Sequence, residues 1–125
     1  MKLTRSELEI MNVLWKAGRP LSRAEILELS EDKTWKDNSI HILLNGMLNK
    51  EAIHGDGFVR SGKVWGRLYA PSISLGEYYL ENIFLPLGES FYPILFAAML
   101  EDKNISPETL EAIRVILNKH LERMQ

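Results

Sequence analysis

The sequence contains no cysteine. That absence removes disulfides, thiolate metal sites and a cysteine nucleophile together. Histidine is scarce: His41, His54 and His120 fall in three different predicted elements, and no two have metal-ligand spacing. There is no Gly-rich phosphate loop, no H-x-x-x-H and no nucleophile elbow, so no enzyme, metal or cofactor is expected. Long apolar runs are missing too. The longest stretch free of charged residues and histidine, Ser90 to Leu100, is too short to span a bilayer and contains Pro93. The start, MKLTRSELE, lacks the apolar run of a secretory signal. A soluble, cytoplasmic chain without membrane insertion is expected.

What is present points to a packed fold. Hydrophobic residues make up 46% and charged residues 26% of the 125 positions, near the globular average. The length suits one small domain, or a domain of about 75 residues with an appendage. A net charge of -2 looks wrong for a nucleic-acid binder, but it is unevenly spread. Residues 1–75 hold 11 Lys+Arg against 9 Asp+Glu, and residues 76–125 hold 4 against 8. A basic module joined to an acidic one fits that asymmetry.

Thr4-x-x-Glu7 and Ser22-x-x-Glu25 are capping boxes, so helices are predicted over about 5–17 and 23–30. Gly18 is placed to stop the first. In the third helix, about 38–50 with Asp37 as its N-cap, Ile40, Leu43, Leu44, Met47 and Leu48 form the strongest periodic match in the chain. Residues 52–70 then change character, with glycines between strand-forming residues and a hairpin tip at Arg60-Ser61-Gly62-Lys63. Pro71 and the following serines end this module. A further helix over Leu75 to about Leu85, a break at Pro86-Leu87-Gly88, an apolar stretch from Phe91 to Leu100 and a last helix opened by Ser106-Pro107-Glu108 complete the chain.

The third helix carries mostly short polar residues where Lys and Glu would be ordinary. On a helical wheel Asn38, Ile42, Asn45 and Asn49 lie opposite the core, flanked by Ser39, His41 and Gly46. Asn pairs bidentately with adenine, Ser donates or accepts, and an exposed aliphatic group suits a thymine methyl. Asn38, Ser39, His41, Ile42 and Asn45 are therefore candidate base readers. The plainer alternative is that Asn38 and Ser39 cap the helix, Asn49 frays and Ile42 is a scattered surface residue. Around this helix Arg23, Lys36, Arg60, Lys63 and Arg67 are candidate phosphate contacts. Gly46 costs roughly 1 kcal/mol relative to Ala inside a helix. It either admits a close backbone or simply weakens the helix.

Helix, short helix, helix and basic-tipped hairpin is the order of a winged helix-turn-helix, whose third helix enters the major groove. The fold class expected is mainly α with a small β-hairpin wing: a DNA-binding domain over 1–72 and a helical dimerisation region over 73–125. The second region holds more apolar surface than its short helices can bury among themselves, which marks an interface. Tyr79, Ile83, Phe84, Phe91, Leu95, Phe96, Met99, Leu100, Leu117 and Leu121 are its candidate residues; a tail folded back on its own winged helix is the alternative. A dimer would set two recognition helices roughly 34 Å apart, matching an inverted repeat.

Three stretches resemble the penicillinase and methicillin-resistance repressor family of bacteria. They are LTRSELEIMNVLWKAGRPLSRAEI, then the pattern Trp35-x(3)-Ser39-Ile40-x(2)-Leu43-Leu44-Asn45-x-Met47-Leu48-x-Lys50, then RLYAP before an acidic helical tail. The likeness covers nearly the whole chain and is strongest over residues 3–53 and around 100–121. It implies a homodimeric repressor whose winged helix reads a palindromic operator and whose C-terminal helices interlock. It also implies induction by a membrane sensor that leads to proteolytic cleavage in the C-terminal region.

The departures are specific. The family usually has Thr at Ser39 and Ile42, a basic residue at His41, Arg at Gly46 and Gly at Glu51, so base preference is expected to differ. The hairpin here is longer. Ala98-Met99 replaces the Asn-Phe pair at which methicillin-resistance repressors are cut, and the cysteine ligands of the copper-responsive branch are missing. The expected function is a homodimeric repressor on double-stranded inverted-repeat operator DNA, controlled through its C-terminal region, with a regulatory protease from a sensor pathway as a possible partner. The alternative is a winged helix that binds another protein.

Overall fold

The structure, a computed structural model, describes residues 1–125. Helix α1 (Arg5–Ala17) opens on the Thr4 capping box, in which the Glu7 carboxylate accepts from the Thr4 N–H at 2.9 Å and the Thr4 hydroxyl accepts from Glu7 N–H at 3.2 Å. A two-residue strand β1 (Leu21–Ser22) leads into α2 (Arg23–Leu29), started by the matching Ser22–Glu25 box. Both helix starts are those expected from the sequence, because each box satisfies amides that a helix start leaves unpaired.

The third helix begins differently from the expectation. Asp37–Ser39 form a tight 3-10 turn, and α3 proper runs Ile40–Asn49. Asp37 caps nothing; its carboxylate pairs with Lys33 at 2.7 Å. The tighter turn lets both Trp35 and Ile40 be buried. At its far end α3 closes with a Schellman motif. Ala52 N–H donates to the Met47 carbonyl at 2.9 Å and Glu51 N–H to the Leu48 carbonyl at 3.0 Å. That geometry puts Glu51 at φ 61°, in the left-handed region.

Strands β2 (Ile53–Ser61) and β3 (Val64–Pro71) form the wing, and the antiparallel sheet has the order β1-β3-β2. The β2–β3 register runs from Ile53 opposite Pro71 to Ser61 opposite Val64, with an irregularity between Gly55 and Phe58. Gly62 takes the positive φ, 63°, that a two-residue hairpin turn favours at its first position.

One core serves these elements. Ile10, Met11 and Leu14 of α1, Leu21, Ile26 of α2, Leu44 and Met47 of α3 and Ile53 are all fully buried. Burying such side chains stabilises the fold by roughly 1.5–3 kcal/mol each. Tyr78 joins the same core, and its hydroxyl accepts from Leu3 N–H at 3.1 Å. Trp15 donates its indole N–H to the Ile73 carbonyl at 3.0 Å. Those links carry the first compact unit to Met1–Pro86, past the 72/73 boundary expected from the sequence.

Helix α4 (Leu75–Tyr79) continues through a π turn (Leu80–Phe84) into α5 (Leu85–Leu87), so the helix passes through Pro86, and the break expected over Pro86-Leu87-Gly88 falls at Gly88, whose φ is 98°. Pro86 lacks an N–H and its ring would press on the carbonyl four residues back. The wider turn, with Leu85 N–H donating to Leu80, makes room for it.

The second compact unit, Leu87–Gln125, holds a short 3-10 turn (Glu89–Phe91), α6 (Tyr92–Leu100) and α7 (Pro107–Arg123). The Ser106 hydroxyl caps α7, accepting from Thr109 N–H at 3.1 Å. No side chain in this unit is buried.

The Glu7 carboxylate is buried and lies 2.5 Å from Lys50 Nζ. Burial works to raise its pKa, but the hydrogen bonds and charge of Lys50 together with the bonds to Thr4 outweigh that and hold it below the ordinary carboxylate value. A carboxylate depressed in the folded state stabilises above its ordinary range and loses that contribution as pH falls through the depressed value. Glu7→Gln should therefore cost about 1–3 kcal/mol in urea unfolding at neutral pH, with the difference shrinking in acid. Glu51→Gly should instead raise stability by about 1 kcal/mol, since glycine accepts the left-handed φ at no steric cost. Thermal unfolding of the single variant checks the sign.

Candidate nucleic-acid interface

Burying Ile40, Leu44 and Met47 turns the opposite side of α3 outward. Asn38, His41, Ile42, Asn45 and Asn49 are exposed, Ile42 to 76%, while Ser39 is half-buried. The face predicted from the helical wheel is thus an uncharged, hydrogen-bonding surface in the folded chain.

Gly46 is the exception. A Cβ on this residue would lie 3.1 Å from Oε2 of Glu7, so its side faces the buried carboxylate and not the outward surface. The glycine makes room for the Glu7–Lys50 pair, which ties the start of α1 to the end of α3. Lys50 also donates to the Lys2 carbonyl at 3.3 Å. The spacing of Glu7 and Lys50 in the sequence carried no sign of this contact, which exists only once α3 crosses α1.

Among the candidate phosphate contacts, Arg23 stands beside His41. Its Nη1 lies 3.1 Å from the ring Nδ1 and also contacts Nε2. Since a guanidinium only donates, the imidazole nitrogen it bonds is the acceptor. Two residues expected to act separately are therefore joined across α2 and α3. Lys36 is exposed beside the 3-10 turn that leads into α3, and Lys63 is exposed in the wing turn. Arg60 donates from Nε to the Gly62 carbonyl at 2.8 Å and sits over the Trp65 ring at 5.8 Å. Arg67 lies over Tyr69 at 5.5 Å and across Gly55, where a Cβ would fall 2.5 Å from its guanidinium.

The wing also carries residues that sequence reasoning treated only as strand formers. Phe58 is 65% exposed, Val64 70% and Trp65 63%. Their alternation was visible in the sequence, but not that nothing in the chain covers either face of the ribbon near its tip.

The candidate interface residues of the C-terminal half are placed unevenly. Phe91, Leu95, Phe96, Met99 and Leu100, with Leu117 and Leu121 of α7, are exposed. A crevice of about 390 Å³ between α6 and α7 is lined by Phe96, Met99, Ile113, Ile116, Leu117 and His120. Within the first unit, Ile83 is exposed and Phe84 half-buried. Tyr79 packs into its own chain, with ring centroids 6.3 Å from Trp15 and 5.5 Å from Tyr78. No group of three or more His, Asp or Glu is gathered to hold a metal ion, and no single helix is long and apolar enough to cross a membrane.

The chain is 28% identical to the penicillinase repressor of Bacillus licheniformis over 126 aligned positions, covering 98% of this chain and 94% of that protein. The sequence model of the penicillinase repressor family matches residues 3–119. With the match running across both compact units, the chain belongs to the penicillinase repressor family.

Proposed function

We propose that this protein is a transcriptional repressor that binds inverted-repeat operator duplexes as a homodimer. Helix α3 lies in the major groove and the wing on the adjoining backbone. The observation that carries the reading is the outward face of α3: Asn38, Asn45 and Asn49 with Ile42, uncharged and uncovered, bordered by Arg23 beside His41 and by Lys36 at the start of the helix. Such a face is poorly suited to solvent alone and well suited to base edges between phosphates. Family membership and the name of the Bacillus relative support the same reading.

Dimerisation is supported by residues 87–125. They present Phe96, Met99 and Leu117 beside an apolar crevice and bury no side chain within the single chain. A second copy covering that surface would supply the missing core, as obligate interfaces do. Control would then act on the C-terminal region, by a signal, such as proteolysis, that separates the two copies and weakens binding to the paired half-sites.

Selecting bound duplexes from a random pool at moderate salt tests the reading, with an inverted repeat as the expected product. On that duplex Asn45→Ala should cost about 1–3 kcal/mol and relax one base preference. Lys63→Ala should weaken all duplexes alike and reduce the salt slope by about 1. Phe96→Asp should convert a dimer to a monomer in sedimentation. Recovery of no preferred sequence, with weak and salt-independent DNA binding, would instead favour a winged helix that docks a protein partner.

A further inference from the structure

We propose that the wing is a wedge that inserts Trp65 between base pairs from the minor groove and bends the operator. The inference rests on the duplex-binding reading above and adds a specific contact to it.

A hairpin facing only water has no use for large apolar side chains, yet Phe58, Val64 and Trp65 are each more than 60% exposed. Trp15 and Trp35 are spent inside the first unit, where Trp15 bonds the Ile73 carbonyl and Trp35 is buried; Trp65 is the only indole turned outward. The strand register pairs Arg60 with Trp65 and Phe58 with Arg67. Directly opposed residues share a face of the ribbon, so one face alternates aromatic rings and guanidinium groups. Arg60 is already held there by the Gly62 carbonyl and the Trp65 ring.

Charge selects the occupant. The wing, from Ile53 to Pro71, contains Arg60, Lys63 and Arg67 against one carboxylate, Asp56. An apolar protein partner would gain nothing from three cations, whereas a nucleic acid offers a flat π surface for the ring and phosphates for the flanking bases. Val59, Val64 and Trp65 of the ribbon line one crevice with Arg23, whose guanidinium contacts His41 on the outward face of α3, so a duplex bound by α3 continues toward the ribbon. Apolar wedges of this kind partly unstack a base step and kink the duplex by roughly 20–90°. The kink falls most readily at flexible pyrimidine–purine steps, so a base preference should exist under the wing even though no side chain reads a base edge there.

The experiment uses the duplex recovered by selection, labelled at both ends for energy transfer and carrying 2-aminopurine in turn at each step outside the α3 contacts. Full-length protein should shorten the end-to-end distance, change 2-aminopurine emission at one step per half-site, and shield its most quencher-accessible tryptophan from acrylamide. Trp65→Ala should unfold at the same temperature as the parent, lose the bend and bind roughly 5- to 150-fold more weakly. Trp65→Phe should keep most of both. A duplex that stays straight, with Trp65→Ala binding like the parent while Asn45→Ala and Lys63→Ala bind more weakly, would overturn the wedge and leave the repressor reading intact. Loss of single-strand binding alone in Trp65→Ala would also overturn it. If no duplex is retained at all, both readings fall.

Discussion

One buried carboxylate organises the N-terminal unit. Glu7 accepts from the Thr4 amide that starts α1, meets Lys50 at the end of α3, and lies against the bare Gly46. Burying a carboxylate costs several kcal/mol unless charge and hydrogen bonds replace the lost water. Here both do, so removing Lys50 would leave the buried Glu7 carboxylate without its counter-charge. The crossing of α1 and α3 is thereby set by directional contacts as well as by the nonpolar packing of Ile10, Met11, Leu44 and Met47. The outward face of α3 is aimed by that crossing.

The ends of α3 show how local geometry yields to the same constraint. Its start is a 3-10 turn because Trp35 and Ile40 both belong to the core, and its end holds Glu51 in a conformation that glycine adopts more easily. The π turn before Pro86 follows the same logic. Tyr78 is bonded to Leu3 and Asn82 donates its side-chain amide to the Tyr78 carbonyl, and the helix widens before the proline and ends just after it, at Leu87. At Glu51 tertiary packing outweighs a left-handed backbone cost of about 1–2 kcal/mol.

Function in this fold is divided by surface chemistry. The face of α3 is polar and uncharged, the wing is basic and aromatic, and the C-terminal unit is apolar and unfilled. These three surfaces would respectively read bases, grip and deform the duplex, and join two copies. The Arg23–His41 contact ties α2 to α3.

Much of this was legible from the residues alone. The two capping boxes, the apolar stripe of α3 and the Gly-containing hairpin tip follow from local rules that hold wherever the segment ends up, because they concern hydrogen bonds and periodicity within a few residues. The outward positions of Asn38, His41, Ile42 and Asn45 followed from the same periodicity. Distant partners were not legible. Gly46 read as a weak point on the outer face until Glu7 stood beside it; the ring contacts of Tyr79, read as interface, with Trp15 and Tyr78 came only with the fold; Trp65 read as a strand residue until both faces of the ribbon were seen to be bare. Sequence by itself determined which segments form helices and which of their faces are polar. Only the tertiary structure decided which residues meet across segments, because a buried charge or a ring contact depends on the crossing of elements far apart in the chain, and no local pattern encodes that crossing.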